Sequence, residues 1–182
     1  LSGAQLPVIE LRVPQNAVVA VGGAVRMQMA TAQAAHVRLD ACGDAQIDRV
    51  EDEAEIAIAG SQDLRLGEAG QAEIAIAGSG DVTLGVVHNG LNVSVAGSGD
   101  LTAARVDGPT SIAVQGSGDV TIRDGRATSL SVVIAGGGDI THGGSAQTLD
   151  AVILGGGDVR VHHVEGEISR SVLGGGEVTV GR

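Results

Sequence analysis

Apolar and polar residues alternate along this chain in short runs, and the runs return about every nineteen residues. Ile56/Ile58, Ile74/Ile76, Val93/Val95, Ile112/Val114, Val132/Ile134 and Ala151/Ile153 hold the same two places in successive repeats. A second alternating pair follows in each repeat: Leu64/Leu66, Val82/Leu84, Leu101/Ala103, Val120/Ile122, Ile140/His142, Val159/Val161 and Val178/Val180. A period of two predicts β-strands with one buried face, so each repeat contributes two short strands. The β-branched residues that dominate these places suit a pleated, half-buried surface.

A glycine-rich phrase hinges the two strands. It reads Gly60-Ser-Gln-Asp63, Gly78-Ser-Gly-Asp81, Gly97-Ser-Gly-Asp100 and Gly116-Ser-Gly-Asp119, then Gly136-Gly-Gly-Asp139, Gly155-Gly-Gly-Asp158 and Gly174-Gly-Gly-Glu177. The acidic residue recurs at intervals of 18, 19, 19, 20, 19 and 19. A fixed period of this length, with strands between the repeats, is the signature of a stacked solenoid. Second turns at Gly67, Gly70, Gly90, Gly108, Gly125, Gly143 and Gly166 close each coil. Connections this short hold no helix, so neighbouring coils pair as parallel strands.

The predicted fold is therefore an all-β, single-domain parallel β-helix with about 19 residues per coil and seven to nine coils. At ~4.8 Å per coil the rod is roughly 40 Å long. Cys42-Gly43-Asp44 continues the ladder upstream with Val37 and Leu39 in the inward places, and Gly22-Gly23 with Val19, Val25 and Met27 reads as a degenerate coil. Residues 1–16, with Pro7 and Pro14 around Ile9, Leu11 and Val13, read as an N-terminal cap or edge strand, leaving 17–182 as the repeat domain. A helix over Met27–Ala35 is the local rival, because Ala and Gln favour it, but the flanking rungs are already in register.

Composition narrows the picture. The 182 residues include no Phe, Tyr, Trp or Lys, so the core must be filled by Val, Ile, Leu and Ala. A formal charge of −11 repels nucleic acid and anionic lipid, and no basic stripe reverses it. Lone Cys42 fits no disulfide or metal spacing and reads as a small buried hydrophobe. No apolar run approaches the ~18 residues of a membrane span. No leader pattern opens the chain, and a start at Leu1 reads as a mature or trimmed form.

The acidic ladder is the leading candidate for chemistry. Asp81, Asp100, Asp119, Asp139 and Asp158, if stacked, repel by ~0.9 kcal/mol per neighbouring pair even in water. Main-chain N–H groups at the corners can offset this through Asx-type hydrogen bonds. A row of Ca²⁺ ions is the alternative, since Ca²⁺ takes several carboxylate and carbonyl oxygens. Calcium rolls carry Gly-Gly-x-Gly-x-Asp twice per coil, whereas here the acid follows the second glycine directly and once per coil. No metal is favoured, and no cofactor is expected.

Thr83, Thr102, Thr121, Thr141 and Thr179 form an outward row interrupted by Arg65 and Arg160, as exposed strand residues commonly do. His142, His162 and His163 fall near one another on the second strand; two imidazoles and a carboxylate there could ligate a metal, but the three read as surface histidines. No nucleophile–base arrangement can be defended from spacing, so no catalytic residue is assigned. Outward places also hold Val133, Ala135, Val152 and Leu154, and a sheet apolar on both faces usually has both covered. Val172, Val178 and Val180 sit on the last rung, where an open solenoid end invites pairing. These seven residues are the interface candidates.

The phrase Gly-Ser-Gly-Asp-Val-Thr-Leu after Ile-Ala-Ile-Ala resembles the head GIN domain family of auto-transporter adhesins, over roughly residues 37–182. The resemblance implies a right-handed coil and a bacterial protein placed outside the cytoplasm, in the periplasm or at the surface. It brings no catalytic residues. The chain departs from the family pattern in lacking aromatics and in replacing Ser by Gly in the last three corners.

The reading is a non-enzymatic envelope or cell-surface interaction module. Its expected partner is a second copy or another envelope protein. Alternatives are a divalent-cation-binding solenoid built on the Asp ladder and a polysaccharide-active β-helix enzyme.

Overall fold

The computed structural model describes residues 8–11, 16–24 and 26–181. Its seventeen strands form one continuous sheet wound into a parallel β-solenoid, and no helix occurs among the described residues. One side of the stack is built from β2 (Asn16–Ala24), β4 (Ala34–Cys42) and the second halves of β5 (Asp44–Gly60) and β6 (Asp63–Gly78). It continues through β8 (Leu91–Gly97), β10 (Gly108–Gly116), β12 (Arg126–Gly136), β14 (Leu149–Gly155) and β16 (Ile168–Gly174). The other side holds β1 (Val8–Leu11), β3 (Arg26–Ala32), the first halves of β5 and β6, β7 (Val82–Val87) and β9 (Leu101–Val106). It ends with β11 (Val120–Asp124), β13 (Ile140–Ala146), β15 (Val159–Val164) and β17 (Val178–Val180).

Register is set by the repeat. Ile58, Ile76, Val95, Val114, Ile134 and Ile153 are successive parallel partners, and none is more than 1 % exposed. Burying an aliphatic side chain of this size contributes about 1.5–3 kcal/mol, so one such column outweighs any single polar contact in the molecule. Alternation breaks where Ala104 and Arg105 both face solvent, and Val106 then returns to the core. There the strand bends toward the second turn.

The main corner needs glycine at its first and third places for different reasons. Gly97 has φ +142, and a Cβ there would also lie 2.2 Å from the Gly78 carbonyl oxygen one coil back. At Gly118 the same clash arises with Gly99 O at 2.3 Å. The middle place is open: a Cβ on Gly137 meets nothing within 4 Å. That is why Ser79, Ser98 and Ser117 can become glycine in later coils without disturbing the stack.

β3 and β4 occupy the segment where a helix was the rival, with Met27, Met29 and Ala32 buried. β1 pairs in parallel with β3, Val8 opposite Arg26. The proposed cap at residues 1–16 falls partly outside the described residues, as does Val25, and the side chain of Cys42 is likewise not described. At β16 the inward register places pass from Leu149, Ala151 and Ile153 to Ile168, Arg170 and Val172. Ile168 and Val172 are 41 % and 38 % exposed there.

Candidate interaction surface

From Asp63 to Asp158 each corner carboxylate is tied to the next coil, while Asp44 pairs with Arg26 instead. The N–H of Asp100 donates to Asp81 Oδ1 at 3.1 Å, that of Asp119 to Asp100 Oδ1 at 2.8 Å, and that of Asp139 to Asp119 Oδ1 at 2.7 Å. Asp158 N–H donates to Asp139 Oδ1 at 2.8 Å and Glu177 N–H to Asp158 Oδ1 at 2.9 Å. These bonds give each carboxylate a fixed donor and so counter the repulsion along the row. Arg160 adds ion pairs to Asp158 at 2.8 Å and Asp139 at 3.7 Å. Among the described residues no three His, Cys, Asp or Glu side chains converge in a way that would hold a metal ion. The ladder's observed work is structural.

Arginine and aspartate also fasten the second turn. Arg105 donates to Asp107 through Nε at 2.8 Å and Nη2 at 3.1 Å, and the Arg126 N–H reaches the same carboxylate at 2.9 Å. The Arg105 guanidinium thereby holds the Asp107 carboxyl below its usual range.

The three histidines do not come together. His142 faces inward, 1 % exposed, with Ile122 and Val161 as its register partners, while His162 and His163 face solvent. Its Nδ1 accepts the Gly144 N–H at 3.1 Å, and Nε2 has no partner among the protein groups. Burial pushes its pKa down, so it sits neutral in the aliphatic column. A second exception is Gln62, which replaces the third corner glycine; it is fully buried and its amide has no protein partner. Thr83, Thr102, Thr121 and Thr141 do stack as one outward row, with Arg65 before it and Arg160 after it.

The surface that stands out lies on the side carrying β8 to β16. Two outward columns run along it in register. One reads Ala57, Ala75, Ser94, Ala113, Val133, Val152, Ser171. The other reads Ala59, Ala77, Ala96, Gln115, Ala135, Leu154, Leu173. Neither contains a charge. Val133, Leu154 and Leu173 are 41 %, 46 % and 66 % exposed, Ala135 is exposed and Val152 half-exposed.

Four of the seven sequence candidates thus share one patch. Val172 lies apart on the terminal rung, Val178 is buried at 7 % exposure, and Val180 packs half-buried on the core. Leu173, the most exposed of the large residues on this face, was missed. It stands one repeat after Leu154 in the same column, which is the signal that would have found it.

The family described as "Putative auto-transporter adhesin, head GIN domain" matches residues 10–123 and again 106–181. The chain belongs to that family. Its description points to an adhesin-like module at the cell surface or outside the cytoplasm. Neither the curated proteins nor the solved structures contain a match to the chain.

Proposed function

We propose that the chain is a non-catalytic interaction module of the bacterial envelope or cell surface, a rigid solenoid that engages its partner through the two uncharged columns of the β8–β16 side. The observation that carries this reading is the in-register patch of Val133, Val152, Leu154 and Leu173, which brings four exposed or half-exposed large apolar side chains together on one face. Contiguous exposed apolar surface on a folded domain marks an association site. The family's description as adhesin-like supports the same reading. No cofactor or cation is needed for the fold, because main-chain donors serve the carboxylate ladder.

The family's description supports an extracytoplasmic setting, and no helix among the described residues is long and apolar enough to cross a membrane. A polysaccharide-cleaving role gains no support from the surface grooves. Arg26 pairs with Asp44 in the groove it shares with Asp63 and Arg65, and Arg49 pairs with Glu68 in the other.

The test is retention on envelopes. Beads coated with the chain should bind isolated bacterial envelopes, and a Val133→Arg/Leu154→Arg variant should lose most of that binding. Equal retention by both proteins contradicts the proposal.

A further inference from the structure

We infer that the occupant of the β8–β16 side is a second copy of this chain, packed face to face with the two solenoid axes antiparallel. The inference rests on the proposed role of this side as the association surface, and it names the partner. The large apolar residues of both outward columns are confined to the late coils, Val133 and Val152 in one and Leu154 and Leu173 in the other, whereas the early coils carry alanine and serine.

A two-fold axis parallel to the strands, passing through Ala113 and Gln115, reverses coil order while keeping each column opposite itself. Ala57 then faces Ser171, Ala75 faces Val152, and Ser94 faces Val133. In the other column Ala59 faces Leu173, Ala77 faces Leu154, and Ala96 faces Ala135. Each of the large apolar residues Val133, Val152, Leu154 and Leu173 meets a small one, so the late coils of one copy are not wedged away from the other. Gln115 meets its own copy at the axis, where two amides can exchange hydrogen bonds. An axis along the stack instead exchanges the two columns within each coil, setting Val152 on Leu154 and alanine on alanine at the coils of Ala57 and Ala75, which leaves a gap there. The self-complementary arrangement is the isologous kind that closes as a dimer.

The area suffices. Seven coils at ~4.8 Å by seven residues at ~3.3 Å give about 780 Å² per copy, or about 1,560 Å² in all. Stable interfaces bury ~1,200–2,000 Å² in total. At the rim the same axis sets Glu73 opposite Asp150, so pairing should tighten as salt screens these two acids.

Sedimentation of the full chain over a concentration series tests this. The expected species is a dimer of twice 18.0 kDa, favoured by added salt. Leu154→Arg should convert it to monomer with an unchanged circular-dichroism spectrum, and Leu154→Ala should weaken pairing about tenfold or more. In a Cys42→Ala background, Gln115→Cys should be joined to itself by a short bis-maleimide. Ala77→Cys should cross-link only when mixed with Leu154→Cys. A monomer at ~100 μM, a dimer indifferent to Leu154→Arg, or self-linking of Ala77→Cys overturns the inference. A monomer that still holds envelopes through this face leaves the proposed function standing without the pairing. A dimer that holds no envelope does the reverse.

Discussion

The N–H of Asp119 donates to the carboxylate of Asp100 at 2.8 Å, one full coil away in the stack. The bond repeats from Asp63 to Glu177, so a row of acids that would otherwise repel becomes a set of clamps between coils. Hydrogen bonds to a charged acceptor contribute about 1.5–3 kcal/mol, less where the acceptor is exposed. Asp100→Ala should therefore lower stability by about 1–2 kcal/mol in urea unfolding. Asp100→Asn keeps the acceptor and relieves repulsion with its neighbours, so it should lose less. Ca²⁺ and EDTA should leave the melt of the wild-type chain in the same place. A Ca²⁺-dependent rise in Tm would reassign the ladder to cation binding.

Corner glycines make a sharper contrast. Gly97→Ala combines a strained φ of +142 with a contact of 2.2 Å to a carbonyl oxygen that cannot move without its whole coil. The loss should exceed about 3 kcal/mol and show as a collapse of soluble, strand-rich protein. Gly137→Ser, whose Cβ meets nothing within 4 Å, should stay within about 0.5 kcal/mol of wild type.

His142 gives the chain a pH dependence of defined sign. Burial depresses its pKa in the folded state from the ordinary value of 6.5, so on acidification the unfolded chain takes the proton first. Stability from this group is complete above pH 6.5 and falls as the pH drops from there toward the folded pKa. His142→Leu removes the unpartnered Nε2 but orphans the Gly144 N–H. The two effects oppose, so the variant should match wild type near pH 8 and be the more stable protein near pH 5, read by urea titration at both. Equal acid sensitivity of the two proteins would contradict the assignment.

Gln62 is the other buried orphan. Gln62→Met keeps most of its volume and removes both unpartnered amide atoms. A buried unsatisfied polar group costs about 1–3 kcal/mol, so the variant should be more stable by about 1 kcal/mol in urea unfolding.

Most of the fold was legible because each coil repeats the same constraints. The inward places of Ile76, Val95 and Val114 and the acid after each corner recur often enough to fix register without any long-range information. Where one coil breaks the rule, the sequence speaks less clearly. Ala and Gln over Met27–Ala35 suit a helix locally, and only stacking on β5 makes that segment a strand. His142 read as a surface histidine because its residue type outweighed its place, yet the place was decisive: it follows Ile122 in an inward column. Val178 read both as an inward strand residue and as part of an open last rung, and stacking against Val159 buries it as its inward place requires. The patch was half legible. Val133 and Leu154 were visible as outward apolar residues, whereas the confinement of the large apolar residues to the late coils emerges only when the columns are laid in register.

The central claim is the vertical stacking of coils, and pulsed electron–electron distances test it most directly. Spin labels at the open middle corner places, Ser79 paired with Gly156 and then with Gly175, lie four and five coils apart in a Cys42→Ala background. Diluted with unlabelled chain, the two pairs should give about 19 Å and about 24 Å, a difference of one strand spacing. Distances that fail to lengthen by about 5 Å from the first pair to the second would contradict the stack.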